Sequence, residues 1–129
     1  MNKSSFQFSN PVLDRIEFQV NDQFDKEKCD GISMDSNTKV SMLDGNEAVV
    51  SLTVNIGDSS ETQPFNISVR MSAVFTWDAS IDQDRAKHML NINAPAVLLS
   101  YIRPMVASMT NSSKYPLLNI PFVDFTKNQ

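Results

Sequence analysis

The stretch from Phe65 to Trp77, Phe-Asn-Ile-Ser-Val-Arg-Met-Ser-Ala-Val-Phe-Thr-Trp, restricts the fold of this chain more than any other segment. Its odd positions are all apolar: Phe65, Ile67, Val69, Met71, Ala73, Phe75 and Trp77. Its even positions are polar except for Val74. Side chains of a strand point alternately to opposite faces, so this pattern predicts a strand with one buried face and one wet face. At ~3.3 Å per residue the segment reaches roughly 43 Å, well beyond the ~5–6 residues of an ordinary strand. Whatever covers so long an apolar ribbon decides the architecture.

Further strands surround it in sequence. Ile16-Glu-Phe-Gln-Val20 alternates and reads as a first strand beginning near Val12, after Pro11. Phe6 and Phe8 carry the same spacing backwards. Residues 21–37 are polar and charged and read as a solvated loop. Thr38–Leu43 and Glu47–Ile56 read as a hairpin about Asp44-Gly45, a pair suited to positive φ. Gly57 then turns the chain into the long strand. The expectation is a single α+β domain over residues 1–129 with a four-stranded antiparallel sheet.

After Trp77 the period changes. Asp82 to Leu90 suits a short helix, and Asn93 suits the cap of a second one running to about Asn111 with Pro95 in its first turn. Leu98, Tyr101, Ile102, Met105, Val106 and Met109 recur at spacings of three and four, which places them on one face. Pro104 cannot bond the carbonyl of Ser100 and should kink the helix. The apolar tail Tyr115–Phe125 carries two further prolines and cannot be helical. Four strands at ~4.8 Å make a sheet roughly 19 Å wide, while an eighteen-residue helix is only about 27 Å long. Such a helix leaves part of the ribbon for the tail, a ligand or a second copy of the chain, and a homo-oligomer is expected.

Composition removes several classes of function. A net charge of −4 offers no cationic surface to a phosphate backbone, so nucleic acid is not an expected partner. No apolar run approaches the ~20 residues of a membrane span. The first ten residues lack a signal-peptide core, and the lone Cys29 cannot close an internal disulfide. A cytoplasmic protein is the simplest reading. His88, the one histidine, has neither nucleophile nor orienting group nearby in sequence, and Cys29 lies in an acidic loop that disfavours a thiolate. The three glycines form no phosphate-cradling loop. The acidic residues Asp14, Glu17 and those of 22–35 lack calcium-loop spacing, and no Cys/His spacing suits zinc. No enzyme, metal or cofactor is expected. Among six internal methionines, Met105 and Met109 read as core filling, and Met42 as part of an adaptable binding surface.

The order of elements and the last third of the chain resemble the SecB family of protein-export chaperones. The resemblance runs from about Phe6 to Phe125. It is carried by Asn93–Met109, with the family's Tyr-x-Arg at Tyr101 and Arg103, and by Tyr115, Pro116, Leu118, Asn119 and Ile120, which match its aromatic-Pro-x-Leu-Asn-Leu segment. It implies a SecB-like subunit, one long kinked helix on one face of the sheet, assembled as a dimer of dimers. It also implies ATP-independent holding of unfolded or precursor polypeptides in apolar grooves. By the same resemblance Val40 and Met42 line the groove, Phe122 and Phe125 help to close it, and Ile67, Val69 and Met71 support subunit association. Typical members dock the export motor SecA through acidic residues on the wet sheet face. The matching positions here are Arg15, Gln19 and Ser68, none of them acidic. Typical members continue into a second helix and tail where this chain stops at Thr126-Lys-Asn-Gln129, and they place the helix proline at Ser100 rather than Pro104. A relative dedicated to one client, such as an antitoxin, fits the residues equally, and an apolar-ligand domain or a single-partner adaptor stands as the reading from other classes.

Overall fold

The computed structural model describes residues 1–128. Five strands, β1 (Phe6–Phe8), β2 (Val12–Val20), β3 (Met34–Met42), β4 (Glu47–Gly57) and β5 (Phe65–Trp77), form one antiparallel sheet, and α1 (Gln83–Asn111) packs on one face of it. The lateral order is β1-β5-β4-β3, with β2 also paired to β5. The long alternating segment is therefore the spine of the sheet. Along one edge it carries β1, with Phe6 opposite Trp77, and then β2, from Val12 opposite Ser72 to Val20 opposite Phe65. Its other edge carries β4 along most of its length. The expected α+β architecture holds, with five strands in place of four. The extra strand arises because Pro11, which has no amide to donate, separates Phe6–Phe8 from β2.

Two boundaries differ from the sequence reading. β3 begins at Met34, four residues before Thr38, since Met34, Asp35 and Ser36 stand opposite Ile56, Asn55 and Val54. The Asn55 side chain donates to the Asp35 carboxylate at 2.9 Å. Polar residues are tolerated there because β3 is an edge strand. The second difference is that α1 is one helix of 29 residues. Its cap is Asp82, whose carboxylate accepts the Arg85 N–H at 2.8 Å, and Asn93 lies inside it. Pro95 and Pro104 deprive the carbonyls of Asn91 and Ser100 of their donors, but both of those residues are exposed to water, which satisfies them.

The longer helix overturns the expected shortage of cover. At ~1.5 Å per residue α1 extends about 43 Å, the same reach as β5. Every odd-numbered side chain of β5, from Phe65 to Trp77, is 6% exposed or less. Ala48, Val50, Leu52, Val54 and Ile56 of β4 share that inner face. The helix answers with Ala86, Leu90, Ala94, Leu98, Ile102, Val106 and Thr110, a strict four-residue series that is fully buried. The two alanines let the helix axis approach the sheet closely. Tyr101 stays exposed, and Met105 and Met109 are half-buried, so only half of the expected apolar face meets the sheet.

Gly57 ends β4 with φ +69°, and a Cβ there would lie 1.9 Å from the Phe65 carbonyl oxygen. Gly45, in the β3–β4 turn, has φ +75° with open space around it. Gly45→Ala should cost about 1–2 kcal/mol for the left-handed backbone alone, and Gly57→Ala distinctly more in the same urea titration. Val69→Asp should unfold the subunit, because it buries an unpaired charge in a site already closed within one chain. An unchanged urea midpoint would contradict that placement.

Candidate binding groove

Beyond the helix the tail is held by three contacts that fix a groove wall. Thr110 donates its hydroxyl to the Val106 carbonyl at 2.9 Å and accepts the Leu118 N–H at 2.8 Å. Arg103 Nε donates to the Ile120 carbonyl at 2.8 Å, and its guanidinium lies 5.0 Å from the Phe122 ring centroid. Tyr115 donates its hydroxyl to the Asn21 carbonyl at 3.1 Å and meets the Phe24 ring edge-on at 5.3 Å. Ile120 and Phe125 are buried as a result, so the apolar tail packs along α1 on the side of β3.

The opposite wall is the loop from β2 to β3. Asn21 Nδ2 donates to the carbonyls of Asp58, Ser60 and Gln63. The buried Gln63 side chain accepts from the Ser33 N–H at 3.0 Å and donates to the Gly31 carbonyl at 3.0 Å. Lys28 donates to Glu61 at 2.7 Å, and that hydrogen bond, with the carboxylate's charge behind it, holds the ammonium above its ordinary pKa. The segment read from sequence as a solvated loop is thus tied to the β4–β5 turn.

Between these walls lie three hollows in line. The first, about 670 Å³, is lined by Phe24, Ile32, Phe65, Tyr115, Leu117 and Leu118 among others. Two residues further along each wall, a hollow of about 330 Å³ lies between Met34 and Ile120, with Val54 and Leu99 beneath. Ser36 borders it and also the third hollow, of about 560 Å³, which Asn37, Thr38, Lys87, His88, Asn91 and Phe125 complete.

The rim offers backbone as well as side chains. Gly57 donates to the Ser33 carbonyl and Leu43 to the Glu47 carbonyl, so the odd residues of β3 bond to β4. Alternation in an antiparallel ladder then turns the N–H and C=O groups of Met34, Ser36, Thr38, Val40 and Met42 outward. No other described segment bonds to them.

Of the residues singled out from sequence, four lie along this groove and the rest lie elsewhere. Phe122, 91% exposed, and Phe125, buried, flank a small hollow of about 200 Å³ with Leu99 and Arg103, and Phe125 also reaches the third hollow. Val40 is half-buried and Met42 is 52% exposed further along β3; they extend the rim without lining any of these hollows. Ile67, Val69 and Met71 lie in the core of the single subunit, under α1. Phe24, Ile32, Met34 and Leu117 were missed: the first three are sparse apolar residues in a polar segment, and the proline-broken tail has no period to show which way Leu117 faces. Arg15, Gln19 and Ser68 lie on the outer sheet face, where Arg15 pairs with Glu17 at 2.8 Å. His88 is exposed on α1, and no cluster of three or more acidic, His or Cys side chains suited to a metal occurs among the described residues.

Residues 8–127 match the family model of SecB, preprotein translocase subunit SecB. The chain belongs to the SecB family. It is similar to the protein-export protein SecB of Anaplasma phagocytophilum (strain HZ), 32% identical over 80 residues, which are 60% of this chain and 51% of that protein. The SecB of Anaplasma marginale (strain Florida) is 34% identical over 77 residues, 59% of this chain and 44% of that protein. The matches thus span about half the length of these relatives. In fold the chain resembles a SecB-like chaperone of Mycobacterium tuberculosis, solved with a peptide from the HigA1 antitoxin, at TM-score 0.68 and 16% identity over 93% of this chain and 91% of that one. A Streptococcus agalactiae protein of unknown function aligns at TM-score 0.52 and 13% identity over 91% and 97% of the two chains. The described residues contain no helix long and apolar enough to cross a membrane.

Arg103→Ala should loosen the tail alone. Faster amide exchange over 118–125 with the β4 and β5 amides unchanged is the expected result.

Proposed function

We propose that this SecB-family subunit is an ATP-independent holdase that keeps unfolded or precursor polypeptides soluble by binding extended segments in the groove between β3 and the tail. The observation that carries this reading is the coincidence of apolar hollows with an unpaired strand edge. An extended client can add a strand to β3 through main-chain bonds, which are indifferent to sequence, while alternate side chains fill the hollows. Met34, Met42, Leu117 and Phe122 stand exposed along the rim, and the unbranched methionines repack around different partners. Val40, Met42, Phe122 and Phe125 belong to this surface in the proposal, with Phe24, Ile32 and Leu118 at its deep end.

A homo-oligomer is part of the same proposal, with a changed interface. Ile67, Val69 and Met71 are already closed off within one chain, so they act on assembly only through the helix they support. The inner face is open at the other edge of the sheet, where Phe8, Leu13, Ile16 and Tyr101 remain exposed and Phe8 meets Tyr101 edge-on. A contiguous apolar strip of this kind suits a second copy of the chain. The antitoxin peptide bound by the mycobacterial relative supports a narrower version of the proposal, a groove serving one dedicated client. SecA has no acidic docking residue at Arg15, Gln19 or Ser68, and the proposal does not include it. A reducing, cytoplasmic setting suits the lone Cys29.

Stoichiometric protein should suppress light scattering from a denatured model protein diluted out of denaturant. Leu117→Asp and Met42→Asp should weaken client binding about tenfold, the loss of roughly 1.4 kcal/mol of apolar contact, with unchanged circular dichroism. Undiminished aggregation with the wild type would refute the holdase reading. Ile16→Asp should lower the sedimentation mass to that of the monomer, and an unaltered profile would place the interface elsewhere.

A further inference from the structure

The groove is not uniform along its length. Its first two hollows are lined mainly by apolar side chains, Phe24, Ile32, Tyr115, Met34, Ile120 and Val123, with Lys26 the charged member of the first and Asp35 of the second, whereas the third is walled by Ser36, Asn37, Thr38, Lys87, His88 and Asn91. On the inner face of β3, Ser36 and Thr38 interrupt a row otherwise made of Met34, Val40 and Met42. The hydroxyls of Ser36 and Thr38, the Lys87 ammonium and the His88 ring have no hydrogen-bond partner among the described residues. Four polar groups from two elements therefore face one hollow with their bonding capacity unspent. Lys87 is the one formally charged side chain in that lining. Nearby carboxylates are occupied: Asp35 accepts from Asn55, and Asp124 accepts the N–H and hydroxyl of Thr126, bonds that hold its pKa below the ordinary value. Asp84 lies in the first turn of α1, where the helix dipole favours it.

We infer that the groove reads a pattern in its client: an apolar stretch flanked, at whichever end meets the third hollow, by a carboxylate side chain that enters beside Lys87. The inference rests on the holdase reading and refines it. From Ile32 to Thr38 is six residues, about 20 Å of extended chain. Alternate side chains of an added strand thus meet two apolar hollows and then the polar one within a single short segment. Hydroxyl and amide donors receive a carboxylate equally well, and the ammonium adds attraction for an anion and repulsion for a client lysine or arginine. Client selection by charge at one place then accompanies broad apolar binding elsewhere.

The test uses fluorescein-labelled peptides with the same apolar stretch either preceded or followed by Glu, Gln or Lys, so that both strand directions are covered, together with an entirely apolar peptide, in anisotropy titrations against the full chain. The Glu peptide should bind about two- to fivefold tighter than the Gln peptide, with the Lys peptide weakest, as for an ion pair of partly exposed groups. Lys87→Glu should invert that order, read as the ratio of the Glu-peptide to the Lys-peptide affinity for the same variant. Equal affinities for the Glu and Lys peptides, alongside normal binding of the apolar peptide, would overturn the charge-reading inference while sparing the holdase proposal. Failure of every peptide to bind would remove the groove reading and this inference together.

Discussion

The structure depends on a length match between one strand and one helix. β5 buries every second side chain over its full extent, and it can do so only because α1 is as long as it is. The four-residue series from Ala86 to Thr110 lays one continuous ridge along the sheet. Ala86 and Ala94 bring the axis near, while Leu90, Leu98 and Ile102 fill the space between β4 and β5. Two prolines within a helix normally oppose such length. Here the carbonyls that they orphan face water, so their cost is limited, and the burial of seven β5 side chains outweighs it.

A ridge one helix wide lies mainly over β4 and β5 and reaches the strands beside them only in part. Both lateral strands are therefore left partly bare, each in its own way. At the β1–β2 side the bare residues are Phe8, Leu13 and Ile16, an apolar strip suited to a fixed partner. At the β3 side the strip is broken by Ser36 and Thr38, bordered by hollows, and fringed with free backbone groups. That side accommodates an extended chain rather than a flat surface. The proposed division of labour, assembly at one edge and client binding at the other, draws on the geometry of a narrow cover on a wider sheet.

The spine strand, the hairpin about Gly45 and the polar outer face were legible in the sequence because each expresses a strict period. The helix was legible as two pieces, Asp82 to Leu90 and Asn93 to about Asn111, but not as one. Asp82 and Asn93 are both sound caps, and nothing local decides between two short helices and one long one; the long apolar ribbon of β5 decides it, and that is a tertiary influence. The same error in length produced the expectation of an uncovered ribbon, whereas the placing of Val69 at a subunit association surface came from the resemblance to the SecB family. Among groove residues, the resemblance to the SecB family pointed to Phe122 and Phe125 in the tail. Phe24 and Ile32 escaped notice, since their roles come from the tethering of the loop by Asn21 and Gln63, which link positions 42 and 30 residues apart in the chain.

Amide hydrogen exchange resolved by residue tests most directly whether clients pair with the free edge of β3. Addition of a saturating unfolded client should slow exchange at Met34, Ser36, Thr38, Val40 and Met42, whose N–H groups point outward. Asp35, Asn37, Lys39 and Ser41 should change little, because β4 already holds them. Uniform protection of both sets, or none at the five outward amides while the client stays soluble, would contradict strand addition as the mode of binding.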